Sequence, residues 1–302
     1  MQHMKISTLV VLGLSLAASA LRAADDNAAL TKEIETWRAQ RVARLTTPDG
    51  WLTLIGLHFL KEGDNTIGSA KDNDVVFAKG PAHLGKVTLA ADGQLKIELA
   101  PDADARLDGK PAMAGELKWN GRRPTIVTVG TVSFFVIDRS GKKALRVKDS
   151  ESERRAHFLG LDYFPIDPAW RVEADWVLFD DPKQILITNI LGQQSPAIIR
   201  GKAVFERDGK KIELLPIDEG PGEPLFFVIS DATTGKETYG AARFLYADAP
   251  ENGKVVLDFN RAENPPCAFT TFATCPLPPR ENKLSFAVTA GEKDYRGGGG
   301  HQ

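Results

Sequence analysis

Residues 125–147 read TIVTVGTVSFFVIDRSGKKALRV, and this stretch decides the fold class. Apolar and polar side chains alternate along it, which is typical of strands that bury one face. The residues RSGK interrupt the alternation and predict a hairpin turn. A similar pattern, KVTLAADGQLKIEL, occupies residues 86–99 and is interrupted at ADG. Strands spaced about ten residues apart predict a β-sandwich or a barrel rather than alternating strands and helices.

One helix precedes the strands, and strand-like patterns continue to the end of the chain. Leu30, Ile34, Trp37 and Leu45 recur at helical spacing, and Pro48 ends the pattern. We therefore predict an all-β fold of two packed β-units, each sandwich-like or barrel-like, with one short N-terminal helix.

These changes of pattern divide the chain into six parts. We predict a signal peptide at 1–23, the helix at 24–48, a first β-unit at 49–147, a hinge at 148–160, a second β-unit at 161–296 and a flexible tail at 297–302. The hinge is rich in charge, and Ser150 followed by Glu153 predicts a capped turn of helix within it.

The first residues predict the compartment. Lys5 is followed by an apolar run, ISTLVVLGLSLAASA at 6–20, and small residues suit cleavage after Ala20 or Ala23. The apolar run is shorter than the roughly 20 residues that a membrane-spanning helix needs. We therefore expect no membrane span, and export to the periplasm or out of the cell.

The charge balance and the cysteine content indicate which partners and which cross-links to expect. The chain has 38 Lys and Arg residues against 40 Asp and Glu residues, and this balance argues against a nucleic-acid partner. Cys267 and Cys275 are its two cysteines, and in an oxidising compartment such a pair predicts a disulfide, with free thiols as the alternative. Neither the set of four ligands that zinc prefers nor a phosphate-binding or zinc-protease motif is present, so we expect no metal and no cofactor.

Three stretches together resemble a known family. They are DGWLTLIGLHFLKEGDNTIGS at 49–69, RVKDSESERRAHFLGLDYFP at 146–165, and TYGAARFLYAD at 238–248 with LDFNRAENPPCAFTTFATCPLPPREN at 257–282. On these residues the chain resembles the bacterial domain of unknown function family 1684, over roughly residues 45–296. The resemblance implies no activity, because the family has no established function.

A second resemblance concerns the first β-unit alone. FLKEGDNTIGSAKDNDVVF at 59–77 has the rhythm of a forkhead-associated β-sandwich. Ser69 stands where that domain would use an Arg to hold phosphate, and Gly80 stands where it would use a Ser. The resemblance therefore implies the sandwich shape and not phosphopeptide binding, since the charged donor of such a site is missing.

Arg243 is the most informative charged residue of the second β-unit. It lies in TYGAARFLYA at 238–247, among apolar or small residues on either face of a strand. A buried guanidinium without a partner is very unfavourable, so it needs a carboxylate or an anionic ligand. Alternation in KVVLDFN at 254–260 makes Asp258 the predicted partner, with Asp231 second. Two interpretations are open: a purely structural ion pair, and an ion pair at the floor of a polar pocket.

The loop after residue 260 is predicted to be unusually rigid. It contains several prolines, which fix the backbone, and the two cysteines. Such a loop suits a preorganised ligand wall, which has little entropy to lose on binding, or a cap over a core that needs few backbone donors. The predicted ligand-binding residues are Arg243, Asp258, Asn260, Asn264, Tyr239 and Phe269.

We predict that this region binds a small polar or anionic ligand, such as a glycan fragment. One alternative is a hydrolase or lyase that uses Asp258, Glu263 or His157 as acid or base, which two carboxylates in one cleft would support. Another is an envelope interaction protein without a pocket. The charged neighbours of His157 are explained more simply by a capping turn than by catalysis.

Overall fold

The computed structural model describes residues 7–120, 123–139, 141–220 and 222–297. Within these ranges the chain forms strands β1 to β17 in four sheets, one long helix, α1 (Ser7–Leu45), and one helical turn, α2 (Glu153–Ala156). The prediction of an all-β fold with an N-terminal helix is therefore confirmed. The first six residues of the predicted signal peptide, and all of the predicted tail except Gly297, lie outside the described residues.

Helix α1 buries the predicted face. Leu30, Ile34 and Leu45 are all buried. Helix α1 begins at Ser7 and so includes most of the predicted leader, whose residues are themselves good helix formers, while the predicted division of the chain at residue 24 stays a prediction. In the part of the chain that the structure describes, no helix is both long and apolar enough to cross a bilayer.

The first β-unit comprises two sheets within residues 54–149. The six-stranded sheet consists, from edge to edge, of β1 (Leu54–Phe59), β11 (Lys142–Asp149), β10 (Val132–Arg139), β9 (Val127–Val129), β6 (Arg106–Leu107) and β7 (Lys110–Pro111). The five-stranded sheet consists of β3 (Val75–Val76), β2 (Gly63–Gly68), β4 (Gly85–Leu89), β5 (Leu95–Leu99) and β8 (Ala114–Glu116). Both predicted hairpins form, β4–β5 with Gly93 at φ +83° in the turn, and β10–β11.

Alternation along β10 and β11 decides which side chains enter the core between these sheets. Phe134, Leu145 and Val147 are fully buried there, whereas Arg146 projects to the opposite face of its strand. That outer face meets the rest of the chain. Two sheets around one core match the expected sandwich layering, while the forkhead-associated resemblance stays a prediction.

The second β-unit comprises the sheets of residues 171–258. Its four-stranded sheet consists of β14 (Lys210–Leu214), β13 (Gln194–Arg207), β12 (Arg171–Thr188) and β17 (Lys254–Asp258), and its two-stranded sheet of β15 (Leu225–Ile229) and β16 (Arg243–Ala247). Phe205, Phe227 and Leu257 share a core with residues from both sheets. Whether the two β-units fold as independent domains stays a prediction, because strand pairing does not test it.

The segment between the β-units contains α2, whose cap differs from the predicted one. Ser152, rather than Ser150, is the N-cap, and its Oγ accepts a hydrogen bond from the Arg155 amide. Ser150 instead donates its hydroxyl to the Thr131 carbonyl. Ser150 therefore holds the segment to the first β-unit, which explains why the cap lies two residues later.

Candidate functional site

A cavity of about 1200 Å³ lies where α1 and the two β-units meet. We call it the interunit cavity. One wall comprises the last turns of α1, residues 47–51 and the outer face of β10 and β11, and the other comprises the start of β12 and residues 246–263. Its charged and aromatic lining residues are Trp37, Arg41, Arg44, Asp49, Trp51, Phe135, Arg146, Lys148, Arg171, Glu173, Tyr246, Asp248, Glu251, Lys254, Asp258, Arg261 and Glu263.

Arg146 is the unusual residue of the first wall. Its side chain lines the cavity although the residue is only 7% exposed. The guanidinium carbon lies 5.0 Å from the centre of the Trp51 ring. Its buried Nε has no hydrogen-bond partner, and none of the described carboxylates forms an ion pair with it. Burial, together with the neighbouring charge of Arg139, lowers the pKa of Arg146 to about 10.

Lys148 extends the positive charge along the same face of β11. Its Nζ donates a hydrogen bond of 2.5 Å to the Asp49 carbonyl and lies 5.5 Å from the centre of the Phe135 ring. Burial lowers the pKa of Lys148. The first wall thus presents two cations beside two aromatic rings, and neither cation has a carboxylate in ion-pair contact among the described residues.

Glu263 is the central acid of the second wall. Its Oε2 lies 3.3 Å from Nε of Arg41 and 3.8 Å from Nη2 of Arg44. Burial raises the pKa of Glu263 to about 7, and the charge of Glu292 adds to this rise, although Arg41 opposes it. A carboxyl with this pKa exchanges a proton near neutral pH, which is the property of a general acid or base.

Asp258 lies at the end of β17, beside the arginines of the second wall. Its Oδ2 is buried without a hydrogen-bond donor, although Arg171 Nη1 is 3.8 Å away and Arg261 Nε is 3.7 Å away. Both arginines contact Glu33 of α1 more closely. This oxygen has almost no accessible surface, so a ligand in the cavity would reach it only if the neighbouring side chains moved.

The structure places Arg243 outside the interunit cavity. The residue is 1% exposed, and its Nη2 lies 2.7 Å from Asp231 Oδ2. The same guanidinium donates to the carbonyls of Val288, at 3.0 Å, and Ala290, at 2.5 Å. We call these four residues the Arg243 cluster. The predicted partner Asp258 is therefore wrong, and the second choice, Asp231, is the partner.

The reason lies in the order of the strands. Arg243 pairs with Ile229 across the β15–β16 hairpin, so the carboxylate just after β15 faces it. Burial raises the pKa of Asp231, but the charge of Arg243 and the hydrogen bonds from Thr233 more than offset burial, so the pKa of Asp231 lies below its usual value. The Arg243 cluster is a closed ion pair that leaves little for a ligand to contact.

The other predicted site residues divide into two groups. Asp258 and Glu263 line the interunit cavity. The remaining ones do not line it. Asn260 forms hydrogen bonds with the backbone of Asp167, Asn264 donates to the Lys293 carbonyl, and Tyr239 donates to the Cys267 carbonyl. Phe269 packs on Tyr295 with ring centres 5.0 Å apart, and exposed His157 lies 3.0 Å from Glu153.

Cys267 and Cys275 are free, buried thiols in this structure, in place of the predicted disulfide. They lie side by side, since the amide of each donates to the sulfur of the other at 3.2 Å. Together with Phe269 they belong to an apolar cluster that includes Leu45 of α1 and Phe244 of β16. Because no residue between 264 and 282 lines the interunit cavity, the loop serves as a core cap here rather than as a wall of that cavity.

Comparison with known proteins supports the family but names no activity. A family described as "Protein of unknown function (DUF1684)" matches residues 156–293. The match supports membership of this family. The DUF1684 match is shorter than the predicted resemblance over 45–296, so its N-terminal part is not supported.

Two further comparisons accompany the DUF1684 match. The solution NMR structure of an uncharacterised protein from Haloarcula marismortui is 32% identical, and the alignment covers 48% of this chain and 81% of that chain with a TM-score of 0.40. None of the curated proteins matches this chain. The interunit cavity is thus shared between the DUF1684 region, which supplies Glu263 and Asp258, and preceding residues, which supply Arg146 and Trp51.

Sequence reasoning missed the first wall entirely. Arg146 lies in KKALRVKD, where alternation correctly places it opposite the core, and a charged outward residue normally faces water. The available signal was an aromatic residue, Phe135, opposite Arg146 in the register of β10 and β11. An aromatic ring beside a charged residue on the outer face indicates that another part of the chain covers that face.

Proposed function

We propose that this protein binds a small organic anion in the interunit cavity, with Arg146 as the principal contact. The supporting observation is a buried guanidinium that faces a cavity and has no acceptor among the residues that the structure describes. Removing a charged group from water is costly unless its donors are satisfied. A carboxylate or phosphate would satisfy the planar guanidinium with two parallel hydrogen bonds. Lys148 would add charge from the same wall.

The test compares two arginines on the same face of one sheet. Arg139 of β10 also projects from the outer face, but its Nε donates to Thr274 at 2.6 Å and it does not line the interunit cavity. R146M and R139M therefore remove equal charge and similar bulk. We would titrate citrate, inorganic phosphate, glucuronate and glucose 6-phosphate by calorimetry, after circular dichroism has shown that both variants are folded.

We expect at least one of these anions to bind the wild type and R139M, and R146M to bind it at least tenfold more weakly. The proposal fails if none of the anions binds the wild type, or if R146M binds them as well as R139M does. In the second case, Arg146 serves to dock the β-units through Trp51.

A hydrolase or lyase is the second candidate, favoured by one observation. Asp258 and Glu263 line the same cavity, and the pKa of Glu263 is about 7. In this case Glu263 would transfer a proton to or from the bound anion. E263Q should then abolish turnover while the affinity for the anion changes less than threefold. Equal turnover by E263Q and the wild type would remove Glu263 from any such mechanism.

We also propose that the protein is exported, on the basis of the N-terminal leader pattern. Cell fractionation followed by intact-mass measurement tests this. The mature protein should be recovered outside the cytoplasm and should begin after Ala20 or Ala23. Full-length protein in the cytoplasm would contradict the proposal.

A further inference from the structure

We propose that the ligand of the interunit cavity is an acidic saccharide, meaning a short oligosaccharide with one carboxylate or phosphate on a sugar ring. This inference rests on the proposed function, because it assumes that Arg146 holds the anionic group. The inference goes further by specifying the kind of molecule that carries the anionic group. Four features of the cavity support it, namely its charge balance, its acids, its aromatic rings and its size.

The charge balance suits an anion of low charge. Among the described residues that line the cavity, seven are Lys or Arg and six are Asp or Glu. Most of these cations already contact acids, as Arg41 contacts Glu263 and as Arg171 contacts Glu33. Arg146 and Lys148 are the exceptions. A polyphosphate would meet six carboxylates with only two free cations, so one or two negative charges fit best.

The acids of the cavity suit a ligand with many hydroxyl groups. Asp258 and Glu263 both line the second wall, although Asp258 Oδ2 itself has almost no accessible surface. Hydroxyl groups of a sugar would donate to the accessible oxygens of the acids in this wall, whereas the hydrocarbon chain of a fatty acid would leave them unpaired.

The aromatic rings suit the flat, C–H-bearing face of a sugar ring. Trp37, Trp51, Phe135 and Tyr246 all line the cavity. Tyr246 is 41% exposed, and one face of its ring stacks on Phe226, with ring centres 5.0 Å apart. Covering the other face would remove apolar surface from water, which is favourable.

The size of the cavity indicates more than one sugar ring. Its volume of about 1200 Å³ exceeds the roughly 300–1,000 Å³ typical of a site for a drug-sized molecule. A monosaccharide would leave most of it filled by water. An oligosaccharide would reach from Arg146 in the first wall to Glu263 and Asp258 in the second, and so would contact both β-units.

The experiment compares acidic saccharides with ligands that have only their sugar rings or only their negative charge. By calorimetry we would titrate glucuronosyl-glucose, a hyaluronan disaccharide, N-acetylglucosaminyl-N-acetylmuramic acid and a phosphorylated disaccharide. The comparison ligands are the methyl ester of glucuronosyl-glucose, citrate and AMP. The ester has the sugar rings without the charge, citrate has the charge without the rings, and AMP has one phosphate with an aromatic base.

The variants Y246A, R146M and R139M complete the design. We expect one of the acidic saccharides to bind the wild type at least tenfold more tightly than citrate and AMP. Y246A should weaken that saccharide about tenfold and leave the affinity for citrate unchanged. R146M should weaken both saccharide and citrate, while R139M should weaken neither.

The outcomes separate this inference from the proposed function. If citrate or AMP binds through Arg146 as tightly as every acidic saccharide, the anion site exists and the saccharide inference is wrong. If the methyl ester binds as tightly as glucuronosyl-glucose, recognition of sugar rings stands and the anion site is wrong. If no anion of either set binds, both proposals fail.

Discussion

Arg146 and Arg243 are buried to a similar degree, at 7% and 1% exposure, in opposite chemical settings. The guanidinium of Arg243 contacts the Asp231 carboxylate and backbone carbonyls. The guanidinium of Arg146 lies beside an aromatic ring and lines an open cavity, and no acceptor among the described residues bonds it. Burial of an arginine therefore does not by itself indicate a binding site. The informative feature is the donor that the chain leaves unsatisfied next to a cavity.

The acids of the two regions also differ, because their pKa values are shifted in opposite directions. The pKa of Asp231 is lowered, because its ion pair and hydrogen bonds outweigh burial. The pKa of Glu263 is raised to about 7, because burial and Glu292 outweigh the effect of Arg41. The Arg243 cluster thus pairs its charges within the fold, although Arg243 Nε is itself a buried donor without a hydrogen-bond partner, and the interunit cavity has groups whose charges are not fully compensated.

The largest expected effect is on the Arg243 cluster. R243M leaves the Asp231 carboxylate buried without its cation, and breaking a buried ion pair from one side costs about 3–5 kcal/mol. Urea unfolding at pH 7 measures this loss. The double variant D231N/R243M should recover part of it. A loss below about 1 kcal/mol for R243M would mean that Arg243 contributes no more than an exposed residue.

The next effect concerns Glu263 and the pH dependence of stability. The pKa of Glu263 rises from 4.5 to about 7 on folding, so the folded state binds the proton more tightly than the unfolded state does. The stabilisation is complete below pH 4.5 and is lost as the pH rises through 7. At about 1.4 kcal/mol per pKa unit, a rise from 4.5 to about 7 corresponds to a loss of at most about 3–4 kcal/mol.

E263Q cannot titrate at this position and supplies the matched control. Between pH 4.5 and pH 8, the free energy of unfolding of the wild type should fall relative to that of E263Q. Unfolding in urea at six pH values measures the difference. Parallel pH profiles for the two proteins would show that the pKa of Glu263 is not raised by folding.

A third prediction concerns the loop that caps the core between the two regions. Cys267 and Cys275 are close enough for each amide to contact the other sulfur. Oxidation by diamide should remove two hydrogens and form a disulfide, and closing so short a loop should stabilise by about 2.5 kcal/mol. Intact mass and urea unfolding, with C275S as the control, measure both. Mixed adducts without an internal disulfide would contradict the prediction.

The smallest expected effect is on the stability of R146M. Because no described carboxylate pairs with Arg146, its removal leaves no buried carboxylate of the described chain unpaired, and a methionine occupies similar volume. We expect the free energy of unfolding without ligand to change by less than about 1 kcal/mol, or to increase. A loss of 3 kcal/mol or more would erase the contrast with Arg243 and give Arg146 a structural role.

The predictable part of the fold consists of elements with strong local patterns. The hairpins β4–β5 and β10–β11 follow from alternating apolar residues around turn residues, and the buried face of α1 follows from the spacing of Leu30, Ile34 and Leu45. Of the predicted site residues, Asp258 and Glu263 line the interunit cavity. Helix α1 extends N-terminally of residue 24 to Ser7, because the predicted leader is itself rich in helix formers.

The amino-acid sequence by itself determined the strands, the turns and the face on which each side chain lies, because these depend on periods of two to four residues. Only the tertiary structure decided that the outer face of β11 is covered, that Arg146 meets Trp51, and that Asp231 rather than Asp258 pairs with Arg243. Arg41 meets Glu263 in the same way. Contacts between residues so far apart in the chain depend on how whole sheets dock, and no local pattern contains that information.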